Sequence, residues 1–180
     1  MLIKRKDSLL VLVDVQEKLT PLVQNSDLLI NRCQWMMNLA SRIEVPIIIS
    51  EQYPKGLGKT VSPLAALGTP EHHIEKVHFS CMKAPALLKH LEHFQKNQII
   101  LIGIETHVCV LQTALELLEA DYEVYVVVDA TSSRHELDIK YGLKRMKQAG
   151  VHLVTAEMVF FEWIRKAGTP EFKALSKEFL

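Results

Sequence analysis

Two side chains in this sequence stand where reactive groups can be put to use. Cys109 follows the run Ile99-Ile100-Leu101-Ile102-Gly103-Ile104, whose β-branched and leucine residues read as a strand buried on both faces. Gly103 is expected to end that strand. From His107 the spacing turns helical, with Val108, Leu111, Leu115 and Leu118 three or four apart. Cys109 is thereby placed in the first turn of a helix at the carboxyl end of a strand. There the positive end of the helix dipole favours a thiolate, and nearby backbone N–H groups lack partners inside the helix. A thiol so placed can attack a carbonyl carbon, with donors at hand for the oxyanion. Asp14 closes a second apolar run, Ser8 to Val15, where a carboxylate must reach solvent, a partner or a reacting group.

Each has a plainer explanation when taken singly. A lone cysteine more often packs as a small hydrophobe than reacts, and an aspartate at a strand end can simply cap the next turn. Lys76, in Glu75-Lys76-Val77-His78-Phe79-Ser80, reads by itself as a solvated surface lysine. Cys33 lies on the apolar face of a helix, and Cys81 has no recognisable base beside it; both read as neutral thiols.

The elements that must position these groups alternate along the chain. Ser8–Val15, Pro46–Ser50, the region around Glu75–Ser80, Ile99–Ile104, Glu123–Ala130 and Val151–Thr155 are six strand candidates. Between or after them, Asp27–Ile43, Ala84–Phe94, the helix carrying Cys109, Glu136–Ala149 and Glu157–Ala167 have helical spacing. Asp27 or Ser26 is expected to cap the first of these helices, and Gly150 to close the fourth. Strand–helix alternation of this kind predicts a parallel α/β sheet covered on both faces. Glu51 to Thr60 reads as a loop after the second strand. Its Gly56-Leu57-Gly58-Lys59-Thr60 lacks the spacing of a phosphate-binding loop.

Composition narrows the function classes. The 180 residues suit one domain over 1–180 with one sizeable core. Twenty-one Lys and Arg balance twenty-one Asp and Glu, so no global field argues for nucleic acid or an anionic membrane. Three widely spaced cysteines without a Cys-x-x-Cys pair argue against a disulfide framework or a structural zinc site. The apolar run Leu9–Val13 after Lys4, Arg5 and Lys6 is too short for a signal core or a membrane span. The expectation is an intracellular, cytoplasmic protein acting on a small molecule.

Gly103-Ile104-Glu105-Thr106-His107-Val108-Cys109-Val110 resembles the nucleophile motif of the isochorismatase-like cysteine hydrolases, the superfamily that includes nicotinamidases and carbamoylases. The likeness extends over nearly the whole chain, through Asp14-Val15-Gln16, Ser50 to Gly58, Lys76 to Ser80, Asp129 to Arg134 and Thr155 to Glu162. It is nearest to the uncharacterised branch of isochorismatase domain-containing proteins. The resemblance implies a Rossmann-like three-layer α-β-α sandwich on a six-stranded parallel sheet. It implies catalytic roles for Asp14, Lys76 and Cys109, with Lys76 helping to lower the thiol pKa and Asp14 as acid and base. The oxyanion donors would be the backbone N–H groups of Glu105 and Cys109, with a cis peptide at Ile104–Glu105.

The function so implied is hydrolysis of a C–N bond in a small amide through an acyl-thioester. Gln16, Leu19 and Tyr53 are candidates for the substrate wall. Metal-using relatives carry an Asp-x-His pair where this chain has Glu51-Gln52-Tyr53, and adjacent His72 and His73 offer one ligand between them at best. No metal and no cofactor is therefore expected. The alternatives are a catalytically silent member serving as an oligomeric binding or scaffold protein, and a metal-dependent nicotinamidase-like amidase. Family members are commonly homo-oligomeric, and the apolar content of Met158 to Ile164 exceeds what one face of a peripheral helix can bury.

Overall fold

The computed structural model describes residues 1–180. Its strands are β1 (Ser8–Val13), β2 (Ile47–Gln52), β3 (His73–Lys76), β4 (Gln98–Ile104), β5 (Glu123–Ser132) and β6 (His152–Val154). The helices are α1 (Ser26–Arg42), α2 (Pro54–Leu57), α3 (Ser62–Ala65), α4 (Pro85–Phe94), α5 (Leu111–Glu119), α6 (Glu136–Ala149), α7 (Ala156–Ile164) and α8 (Pro170–Phe179). The strands form one all-parallel sheet in the order β3-β2-β1-β4-β5-β6. From β1 the chain winds outward through β2 to β3, then crosses to β4 and winds outward the other way. At the carboxyl ends of β1 and β4 the connections diverge, and a crevice opens between them.

Alternate residues of each central strand feed the two faces. Leu10, Leu12, Ile100, Ile102, Tyr125 and Val127 pack under α1 and α7, with Met36, Met37, Phe160 and Trp163. Leu9, Val11, Ile99, Leu101, Val124 and Val126 pack under α4, α5 and α6, with Leu87, Leu91, Leu117 and Met146. Burial on both faces explains why the strands read as unbroken apolar runs. The result is the expected three-layer sandwich. No helix is long and apolar enough to cross a membrane.

Several local expectations are corrected. Gly103 does not end the strand, since β4 runs on to Ile104. Gly103 has φ +111°, and a side chain there would strike the backbone carbonyl of Val13 on β1; glycine lets the two strands meet at the crevice. β2 continues through Glu51 and Gln52, because β3 pairs with them (Glu51 with Glu75, Gln52 with Lys76). The Cys109 helix opens as a π-helical turn, Thr106–Val110, before α5. Val110, Leu111, Ala114 and Leu117 are buried, and Val108, Leu115 and Leu118 pack partly buried against the same cluster. Asn25 in the left-handed region, not Ser26 or Asp27, occupies the N-cap of α1, and no side chain caps it. The tail after Ala167 forms α8, with the Thr169 hydroxyl accepting from the Phe172 N–H at its start.

Candidate active site

Asp14 is the first residue beyond β1, with φ +51°. Its N–H donates to the carbonyl of Ser50 on β2 at 3.1 Å. A non-glycine residue in this region is uncommon, and such residues gather at functional sites. The turn drives the carboxylate into the interior, where Oδ1 accepts from Ser50 Oγ at 2.7 Å and Oδ2 from Lys76 Nζ at 2.6 Å. Lys76, the last residue of β3, also donates to Gln52 Oε1 at 2.7 Å. Gln52 is held in turn by Gln16, whose Oε1 accepts from the Gln52 N–H at 2.7 Å. Asp14, Ser50, Gln52 and Lys76 thus form one buried polar network across the ends of three neighbouring strands.

Cys109 reaches the same network from β4. It is 6% exposed, on the sheet face covered by α4, α5 and α6, close enough to Asp14 and Lys76 for both charges to act on its thiol. Burial pushes the Cys109 thiol up, and the Asp14 charge pushes it further; Lys76 pulls the other way and does not prevail. The expected lowering by Lys76 and the helix start is therefore reversed, because burial, with the Asp14 charge beside the thiol, outweighs the Lys76 ammonium. For Lys76, burial alone would lower the pKa, but Asp14, with Cys81 and Cys109 behind it, raises it. Asp14 and Lys76 thus stand as a buried ion pair at 2.6 Å, and burial with the Asp14 charge favours the protonated form of the Cys109 thiol.

The turn before the thiol supplies hydrogen-bond donors. The Ile104–Glu105 peptide bond is cis. The Glu105 N–H makes no hydrogen bond within the chain. The Glu105 carbonyl accepts from Val108 and Val110 N–H at 3.0 and 3.2 Å, passing over the Cys109 N–H between them.

Three neighbours of the site had no role assigned to them from the sequence. Ser50 and Gln52 had one available signal, the polar Ser-Glu-Gln that follows the apolar Ile47–Ile49. Cys81 had none. Its thiol donates to Ser50 Oγ at 3.4 Å and is pushed up to about 11 by burial and the Asp14 charge.

The proposed wall residues fall in different places. Gln16 is buried and structural, its amide donating to the carbonyls of Gln52 and Gly58. Leu19 packs, half-buried, against the cluster on the opposite sheet face from Cys109. Tyr53, at φ +38°, is exposed and lines a cavity of about 520 Å³ with Lys55, Lys76, His78 and Lys83. Glu51 is occupied by the N–H and hydroxyl of Thr60 at 2.7 and 2.8 Å. His72 packs on the rings of His90 and Phe94. Nowhere do three His, Cys, Asp or Glu side chains converge in a metal-binding arrangement. Asp129 lies apart, accepting from the Ala156 N–H at 2.9 Å and pairing with Arg32 at 3.2 Å.

Comparison with known proteins agrees with this architecture. Residues 8–158 match the Isochorismatase domain family. Isochorismatase domain-containing protein 2A of Mus musculus is 40% identical over 173 residues, spanning 96% of this chain and 82% of the mouse protein. Among solved structures, one described as MAR1 ribonuclease from Caenorhabditis elegans superposes with a TM-score of 0.91. It has 37% identity, over 98% of this chain and 91% of that one. The YcaC gene product of Escherichia coli, described as an octameric hydrolase of unknown specificity, superposes with a TM-score of 0.89. It has 26% identity, over 99% and 96% of the two chains.

Proposed function

This chain belongs to the isochorismatase family, and on that premise we propose that it hydrolyses the C–N bond of a small amide through an acyl-thioester on Cys109. The observation that carries the reading is the buried meeting of the three groups: Asp14 Oδ2 accepts from Lys76 Nζ at 2.6 Å, and the buried Cys109 thiol lies within reach of both charges. A neutral thiol is a weak nucleophile, so it needs a base in contact.

Asp14 takes the thiol proton as Sγ bonds to the amide carbon, and the carbonyl electron pair moves onto oxygen. The N–H groups of Glu105 and Cys109 hold that oxyanion. The intermediate collapses with loss of the amine, to which Asp14 returns the proton. A water then attacks the thioester, Asp14 accepts its proton, and the carboxylic acid leaves as the thiol is re-protonated. Lys76 balances the Asp14 charge before transfer and faces the thiolate after it.

The test is incubation with a library of small amides, followed by mass spectrometry. An acyl adduct on Cys109, absent in Cys109→Ala, is the expected result, and turnover should survive dialysis against a strong chelator. Neither adduct nor turnover across the library would favour the silent, scaffold alternative. Chelator-sensitive turnover would favour the metal-dependent one.

A second reading has one observation behind it, the ribonuclease description of the C. elegans structure. The balanced charge of this chain gives it little behind which phosphate binding could build. RNA cleavage retained in Cys109→Ala would favour that reading. We also propose a homo-oligomer, supported by the octameric E. coli relative and by the exposed Met158 and Phe161 on α7.

A further inference from the structure

The mechanism asks the Glu105 N–H to hold a developing negative charge, yet Glu105 carries a negative charge of its own. Its carboxylate is only 13% exposed, so water screens it poorly. A carboxylate one side chain away from an oxyanion opposes it. The carboxylate is met by Arg134, which directs two donors at the same oxygen. The Arg134 N–H lies at 3.0 Å and Nε at 3.2 Å from Glu105 Oε2. Arg134 belongs to the segment between β5 and α6, and a second tie from that segment joins Ser133 Oγ to His107 Nδ1 at 3.0 Å. α6 itself presses on the turn at Gly142, where a side chain would come within 3.1 Å of the His107 backbone. The turn with the N–H donors is therefore held from one side by a single neighbouring element.

Resting on the acyl-transfer reading above, we propose that Arg134 is a positioning residue for the oxyanion site. It neutralises the Glu105 carboxylate and fixes its orientation, so that the Glu105 N–H meets an oxyanion without a bare negative charge behind it. Arg134 touches no reacting atom and acts only through Glu105.

The test separates oxyanion binding from thiol reactivity. A small aliphatic aldehyde adds reversibly to a cysteine thiol to give a hemithioacetal, whose oxygen occupies the oxyanion position. Iodoacetamide alkylates the same thiol by displacement and makes no oxyanion there. In Arg134→Gln the aldehyde dissociation constant should rise about tenfold, while the iodoacetamide rate on Cys109 stays within about twofold. Arg134→Lys, which keeps the charge, should recover part of the loss. Glu105→Gln combined with Arg134→Gln should bind the aldehyde nearly as well as wild type, since the opposing charge is gone. A purely structural role predicts instead that the double variant is at least as impaired as the single one, and that alkylation changes too. Either result overturns the proposal, as does an unchanged aldehyde affinity in Arg134→Gln. If wild-type Cys109 is alkylated but binds no aldehyde, both this inference and the oxyanion assignment fail. If aldehyde binds but no amide is turned over, only the amidase reading falls.

Discussion

Lys76 Nζ and Asp14 Oδ2 lie 2.6 Å apart with side chains 1% and 0% exposed, an ion pair taken wholly out of water. Such a pair is held in place by what surrounds it, here Ser50 and Gln52. Removing one partner strands a buried charge, whereas removing both costs far less. Lys76→Met and Asp14→Asn should each lower unfolding free energy by about 3–5 kcal/mol. The double variant should regain most of it while staying inactive. Urea titration of the three variants measures this, and a loss under about 1 kcal/mol in Lys76→Met would contradict a desolvated pair.

The raised Cys109 thiol sets a pH dependence for its alkylation. With iodoacetamide the rate should be low at neutral pH and climb through the alkaline range as the thiolate forms. Cys33 and Cys81, both fully buried, should stay unmodified in the folded protein. Asp14→Asn removes the charge that raises the thiol and leaves the Lys76 ammonium that lowers it. Alkylation near pH 7.5 should therefore accelerate in that variant while amide turnover is lost. A wild-type rate already level at neutral pH, followed by peptide mass spectrometry, would refute the neutral resting thiol.

Stability should fall in alkali for the same reason. Cys33, Cys81 and Cys109 all have raised folded-state pKa values, against about 8.5 for a thiol in the unfolded chain. The folded protein keeps its thiol protons after the unfolded chain has released them. The stabilisation is thus complete below about pH 8.5 and declines as pH rises, by up to about 1.4 kcal/mol per pH unit per thiol. For Cys81 the decline should end near its folded value of about 11. Thermal melts from pH 7 to 10 should show the drop, and Cys33→Ala should flatten it.

Gly103 and Gly150 both have φ near +110°, at +111° and +109°, yet they should differ under substitution. Gly150→Ala meets nothing within 4 Å and should cost about 1 kcal/mol for the backbone conformation alone. Gly103→Ala adds a collision with the Val13 carbonyl and should cost at least about 3 kcal/mol. It should also displace Asp14, so residual activity ought to fall further than stability. Equal melting points for the two variants would exclude the close approach of β1 and β4.

On α7, Met158 and Phe161 remain 45% and 47% exposed, although α8 lays Phe172 beside Phe161 at 6.4 Å between ring centres. Light scattering at micromolar concentration should give a mass above that of one chain, and Phe161→Glu should reduce it. A monomeric mass for the wild-type protein would contradict assembly.

Apolar periodicity was enough to read the layered parallel sheet, because strands buried on both faces leave unbroken runs between amphipathic helices. The positions of Asp14 and Cys109 at strand ends were legible for the same reason, while Lys76 had no local signal and entered through resemblance. What the sequence could not carry was which charges meet. Lys76 is sixty-two residues from Asp14, and only the parallel pairing of β3, β2 and β1 brings the ammonium to the carboxylate rather than to the thiol. That pairing, with burial, raises the Cys109 pKa where position in a helix turn suggested lowering it. The ties from Arg134 to Glu105 and from Cys81 to Ser50 likewise join separate loops, whereas α8 carries its own signal, Phe172, Leu175 and Phe179 at helical spacing behind Thr169 and Pro170. Periodicity follows from local geometry; the sign of a pKa shift follows from distances between groups that only tertiary packing fixes.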